Sequence, residues 1–182
     1  MDIGLHCRHE AQFYSSDSVF VESLAGFIAS ALKSQNSAIV VATKSHRESL
    51  IGKLTAEGFD LDAAIGEGMY ISLDAAQTLS TIMVNGELDR LRFFESLGGF
   101  IEKAAKAAKT EHPRVAICGE GVGLLCADGN LNAAIRIEQV VNDLAASHEV
   151  EIMCAYPLDC FQDEGSDAYR RICAEHTAVY SG

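Results

Sequence analysis

Hydrophobic positions along the chain alternate between short continuous apolar runs and longer stretches in which apolar residues recur every three or four places. The short runs are residues 9–14 (HEAQFY), 38–42 (AIVVA), 69–73 (MYISL), 115–118 (VAIC) and 150–156 (VEIMCAY). Continuous rather than alternating polarity predicts strands buried on both faces, as in a parallel sheet. Phe20, Leu24, Phe27, Ile28, Ala31 and Leu32 fall on one face of a helix that Ser16 or Asp17 can cap. A second helix is predicted over residues 45–56, ending at Gly58, and a third over 89–108 with Leu91, Phe94, Ile101, Ala104 and Ala108 on one side. Within the third, Gly98 and Gly99 point to close packing or a kink. A fourth helix runs over 130–147 and leads into VEIMCAY; residues 166–179, which include His176, also read as helical. Five strands joined by helical crossovers give an α/β three-layer sandwich around a mainly parallel sheet.

The remaining bulk properties narrow the class without changing that layout. A chain of 182 residues with no repeat or linker reads as one domain spanning residues 1–182. Lys and Arg total 14 against 26 Asp and Glu, a formal charge of −12, which leaves no basic face for a nucleic-acid backbone. No apolar run approaches a bilayer span, and the N-terminus lacks a leader pattern, so a cytoplasmic protein without a membrane anchor is expected. The six cysteines form no CxxC pair and read as reduced thiols. Cys118 and Cys154 stand near the ends of predicted strands and are neighbours if those strands adjoin; they read as buried structural thiols, with redox sensing as the alternative.

Ligands in open α/β sheets bind beyond the carboxyl ends of the strands, which directs attention to residues 14–16, 43–47, Asp74, Gly119, Glu120, Tyr156 and Pro157. No GxxxxGK[ST] phosphate loop is present. The nearest substitute, Thr43-Lys44-Ser45-His46-Arg47, offers a helix start and cations for an anion, or is an ordinary capped helix start. GEGVGLLCADGN lacks the spacing of a dinucleotide loop, and Glu120 would repel a pyrophosphate. Glu120 itself reads as an acceptor, metal ligand or general base, or else as a solvated loop carboxylate. Glu138 is more pointed. Its helical neighbours Ala134, Ile135, Val141 and Ala145 are apolar, so its carboxylate either bonds to backbone amides or an Arg, or lines a ligand cavity. His6, Cys7 and His9 are read as near one another by chance, and no metal site or cofactor is expected from them. No GxSxG elbow supports hydrolysis.

The order HEAQFY, AIVVATKSHRESL, LTAEGFDLDAAIGEGMYISLDA, VAICGEGVGLL, IRIEQVVNDL, MCAYPLDCF resembles the MEDS family of sensory domains, over residues 9–161 most strongly. Its typical features match His9, Tyr14, His46, Gly119, Glu120, Glu138, Cys154 and Tyr156. The resemblance implies a RecA/KaiC-like fold whose P-loop is lost, its place taken by residues 14–18. It also implies a non-enzymatic role in sensing small hydrocarbon derivatives. On that basis His9, Tyr14, His46, Arg47, Glu120, Glu138 and Tyr156 are expected to line or gate one ligand site. The signal is expected to pass to a separate partner, a histidine kinase or a transcription regulator, with self-association into a homo-oligomer left open. Two other readings stand beside it: a degenerate nucleotide switch built on residues 43–47, and a scaffold whose acidic surface steers a basic partner.

Overall fold

The computed structural model describes residues 8–161 and 165–182. Six parallel strands form the central sheet, in the order β3-β2-β6-β7-β1-β8. They are β1 (Arg8–Tyr14), β2 (Ser37–Ala42), β3 (Tyr70–Asp74), β6 (Val115–Gly119), β7 (Val150–Pro157) and β8 (Ala178–Ser181). Five correspond to the five apolar runs, within a residue or two at each end. A separate two-stranded hairpin pairs β4 (Met83–Val84) with β5 (Glu87–Leu88) through the turn Asn85-Gly86, at φ 52° and 81°. Positive φ at both turn positions is what an Asn-Gly hairpin supplies at least cost.

Helices cover both faces and complete the three-layer sandwich. Alternate strand residues divide the core in two. Ala38, Val40, Ala42, Ala116, Cys118, Met153 and Ala155 pack against α1 (Asp17–Lys33), α2 (Lys44–Ala56) and α3 (Leu61–Glu67). Ala11, Phe13, Ile39, Val41, Ile117, Ile152, Cys154 and Tyr156 pack on the other face, against α4 (Ala75–Ile82), α5 (Arg90–Ala107), α6 (Gly121–Ala127), α7 (Leu131–Ser147) and α8 (Asp167–Ala174). Ser16 caps α1 by accepting from the Val19 amide, and Gly58 takes the left-handed conformation after α2 at φ 91°, both as the sequence predicts.

Two expectations need correction, and one alternative is decided. The C-terminal stretch is not one helix: α8 stops at Ala174, and the chain turns through His176 and Thr177 into β8. The Thr177 amide donates to the His9 carbonyl at 2.8 Å, and the Thr177 hydroxyl accepts from the His9 amide at 3.1 Å, so an edge-strand pairing with β1 outcompetes helix continuation. Gly98 and Gly99 do not admit a close neighbour, because a Cβ at either would meet open space, and α5 runs through both without a break. The glycine that permits close approach is Gly123 in α6, where a Cβ would stand 2.5 Å from the Ala155 carbonyl oxygen. Finally, Cys118 and Cys154 do lie on adjacent strands, but Gly119 is the residue opposite Cys154, and the two thiols point to opposite faces of the sheet.

Candidate functional site

The seven residues expected to share one site separate into two groups. Tyr14, His46, Arg47 and Glu120 stand at the carboxyl ends of the strands, toward α1 and α2. His9, Glu138 and Tyr156 lie within the other face, under α7.

The first group is closed by its own carboxylates. Glu120 is not a solvated loop acid; it is buried. Its Oε2 accepts at 2.7 Å from the amide of Thr43, the N-cap residue of α2, and its Oε1 stands 2.6 Å from His46 Nδ1. A carboxylate there also complements the positive end of the helix. His46 Nε2 faces Asp17 Oδ1 at 3.3 Å, so α1, α2 and β6 meet at an acid–imidazole–acid bridge. The Glu120 hydrogen bond, offset in part by burial, raises the imidazole above its ordinary range. Arg47 is committed too, donating to Asp74 Oδ2 at 2.8 Å and to the Ala42 carbonyl at 3.1 Å. Tyr14 stacks on Phe20 with ring centroids 4.7 Å apart, and burial pushes its hydroxyl far above the ordinary phenol range.

The second group is fully enclosed and gathers four distant segments. Pleating puts His9 of β1 and Cys154 and Tyr156 of β7 on one face, while α7 presents Glu138 and, one turn on, Asn142. Glu138 finds neither backbone amides nor an Arg. Instead His9 Nε2 stands 3.0 Å from its Oε2, His176 Nε2 3.5 Å from its Oε1, Cys154 Sγ 3.3 Å from Oε2, and the Tyr156 hydroxyl donates to Oε1. Burial alone would raise this carboxyl; the hydrogen bonds and charges of His176 and His9 together outweigh it and hold it well below the usual carboxylate range. Burial, then Glu138, drives the Cys154 thiol and the Tyr156 hydroxyl well up. His176, which sequence periodicity placed on a helix, packs its ring on His9 at 4.2 Å between centroids. Four donor atoms, from His9, Glu138, Cys154 and His176, lie within 4.8 Å of one another, and they are of the types that bind transition ions. His6 and Cys7 lie outside the described residues.

Beside this cluster, on the same face, lies an apolar cavity of about 70 Å³. Val41, Ile117, Ile152 and Cys154 of the sheet form its floor, and α4 to α7 supply its walls, Leu79, Phe93, Ile101 and Val141 among them. Thr78 carries its one hydroxyl, and that hydroxyl already donates to the Asp74 carbonyl at 2.7 Å. None of the seven expected site residues borders this cavity; Cys154 alone touches both it and the buried cluster. A cavity is space between side chains from seven elements, three strands and four helices, and no residue pattern announces it.

The family model for the MEDS domain, the methanogen/methylotroph, DcmR sensory domain, matches residues 8–176 of this sequence. The chain belongs to the MEDS family. No curated protein matches it. Both the buried cluster and the bridge at the strand ends fall inside the matched span, so they are features of the MEDS domain itself rather than of an appendage. The family is one of sensory domains, which sets the general role of this chain as sensory or regulatory. Among the described residues, no helix is long and apolar enough to cross a membrane.

Proposed function

We propose that this MEDS domain senses a small, neutral, weakly polar organic molecule held in the apolar cavity between the sheet and α4 to α7, and relays occupancy to a partner protein without chemical turnover. The cavity carries the reading. Apolar cavities in folded proteins stay dry and accept apolar guests, with about 150 Å³ sufficing for benzene; 70 Å³ by proportion suits a molecule of about three heavy atoms. A charged ligand would find no counter-ion there, since the lining is aliphatic, aromatic, glycine, one engaged hydroxyl and one thiol.

Size also bounds affinity. At a ceiling of about 1.5 kcal/mol per heavy atom, three atoms give about 4.5 kcal/mol, a Kd in the region of 1 mM. A sensor of this kind responds to bulk metabolite levels, not to traces. The signal has a short route outward, because Leu79 of α4 and Leu97 of α5 border the cavity and are only half-buried. An occupant displaces walls that reach the surface.

The test is a thermal-shift and chemical-shift titration with short alcohols, haloalkanes and xenon, each at about ten times the expected Kd. Binding of that strength adds about 1.4 kcal/mol, or roughly 3 to 6 °C in a domain of this size. Val141→Phe, which fills the cavity from α7, should abolish the shift while circular dichroism shows the fold retained. Failure of every compound to stabilise the protein, or stabilisation undiminished in Val141→Phe, would overturn the assignment.

A further inference from the structure

We propose that His9, Glu138, Cys154 and His176 form a closed binding site for one divalent transition ion, zinc by preference, which ties the two ends of the domain to its core.

The tautomers of both imidazoles are fixed by their outer neighbours. Asn142 Nδ2 donates to the Glu175 carbonyl at 3.1 Å, which orients Oδ1 toward His9 Nδ1 at 2.9 Å, so that nitrogen must carry a proton. His176 Nδ1 stands 2.7 Å from the Ile172 carbonyl, an acceptor only, and must also carry one. The two Nε2 lone pairs therefore converge on the same carboxylate. An imidazole whose far nitrogen donates to an amide or carbonyl oxygen is the usual support for a metal-binding histidine.

Protons alone satisfy this arrangement poorly. With one proton on His176, the lone pair of His9 faces Glu138 Oε2 at 3.0 Å, acceptor against acceptor. With the proton on His9 instead, His176 Nε2 is left without a hydrogen-bond partner although its side chain is fully buried. With a proton on each, two imidazolium rings 4.2 Å apart share one carboxylate and leave a net positive charge in the core. A divalent cation resolves all three cases: two neutral imidazoles, one carboxylate and one thiolate bring the total charge to zero, with the Cys154 proton released to solvent on binding.

Distances and donor chemistry agree with this occupant. Ligands held at about 2.0 to 2.3 Å around zinc are separated by roughly 3.3 to 3.8 Å in a tetrahedron. Here His9 Nε2 to Cys154 Sγ is 3.4 Å and Cys154 Sγ to Glu138 Oε2 is 3.3 Å, both in that range, while His9 Nε2 to the same oxygen is shorter at 3.0 Å; His176 Nε2 stands 3.5 Å from the other oxygen, Oε1, and all four donors lie within 4.8 Å of one another. A set of two nitrogens, one sulfur and one oxygen disfavours calcium and magnesium, which take oxygen alone. Four protein ligands and no solvent-facing side characterise a structural site rather than a catalytic one. Tyr156, donating to the same carboxylate, completes the support.

The full chain purified without chelators or a metal-affinity tag is expected to contain one equivalent of zinc by elemental analysis, and to melt at a lower temperature after dialysis against a strong chelator. Cobalt(II) added to the stripped protein should give tetrahedral visible bands and a near-ultraviolet thiolate-to-cobalt band. Cys154→Ser should lose the thiolate band, and His176→Asn, whose substituted residue sits outside any strand or helix, should lose the bound equivalent; circular dichroism verifies that each is folded. Zinc-free protein whose melting ignores added zinc, or cobalt uptake without a thiolate band and unchanged in both variants, would overturn the site.

Discussion

Replacing Glu120 by Gln keeps the volume of the side chain and an acceptor for the Thr43 amide, and removes the charge that faces His46. In the native protein the two side chains are 4% and 7% exposed, so water screens the 2.6 Å contact little. A hydrogen bond of this kind to a charged group contributes about 1.5 to 3 kcal/mol. Because the folded protein raises the His46 pKa above its ordinary 6.5, chiefly through that hydrogen bond, the folded state holds the proton more tightly than the unfolded one. The contribution is then fully present below about pH 6.5 and lost as pH rises through the raised folded value. Urea melts of the wild type from about pH 6 to about pH 9 should show this loss, with Glu120→Gln about 2 kcal/mol less stable at the acid end and without the same slope. In thermal terms the acid-end difference is roughly 4 to 8 °C for a domain of this length. Asp17 is the control: at 78% exposure its carboxylate contributes within about 0.5 kcal/mol, so Asp17→Asn should leave the profile nearly intact. A Glu120→Gln profile parallel to the wild type, or flattening in Asp17→Asn instead, would refute the assignment of the proton to the His46–Glu120 pair.

Two further outcomes follow from packing. Gly123→Ala drives a methyl to 2.5 Å from the Ala155 carbonyl oxygen, a backbone contact that cannot yield by side-chain rotation, and should cost about 2 kcal/mol or more in urea denaturation. Cys118, Cys126 and Cys154 are buried with thiols raised by burial, Cys126 to about 12, so thiol reagents should label Cys160, half-buried and near 11, well before them. Mild oxidation should yield no Cys118–Cys154 disulfide by mass spectrometry, since the sheet lies between the two sulfurs.

The strands of this MEDS domain were legible because a sheet buried on both faces leaves continuous apolar runs, and five such runs gave five of its six central strands. The sixth, β8, carries no such run; it exists because Thr177 engages the backbone of His9, 168 residues away in sequence. The β4–β5 hairpin did leave a signal, Asn85-Gly86 between Val84 and Glu87, but its two-residue strands are too short to show a hydrophobic period. Burial of Glu138 could be read from its helical neighbours. Its partners could not, because placing residues 9, 154, 156 and 176 around it requires knowing that β1 lies between β7 and β8. The same applies to Glu120, whose role at the start of α2 depends on β6 lying beside β2.

That adjacency also bears on whether a phosphate could still be held near the strand ends. An anion at the start of α2 would meet the Glu120 carboxylate, which holds the Thr43 amide at 2.7 Å, and would find Arg47 bonded to Asp74 at 2.8 Å, with the exposed Lys44 beside Glu48 as the remaining cation. Displacing Glu120 would leave two anions side by side, and like charges about 4 Å apart repel by roughly 4 kcal/mol at the effective dielectric near a protein surface. Asp17, across from His46, adds to the repulsion. ATP at millimolar concentration should therefore leave the melting temperature unchanged, and Lys44→Ala with Arg47→Ala should not alter that result. A nucleotide-dependent rise lost in the double variant would show instead that the bridge opens to admit phosphate. The α2 terminus would then be a latent anion site guarded by Glu120, and Glu120→Gln should strengthen the effect rather than weaken it.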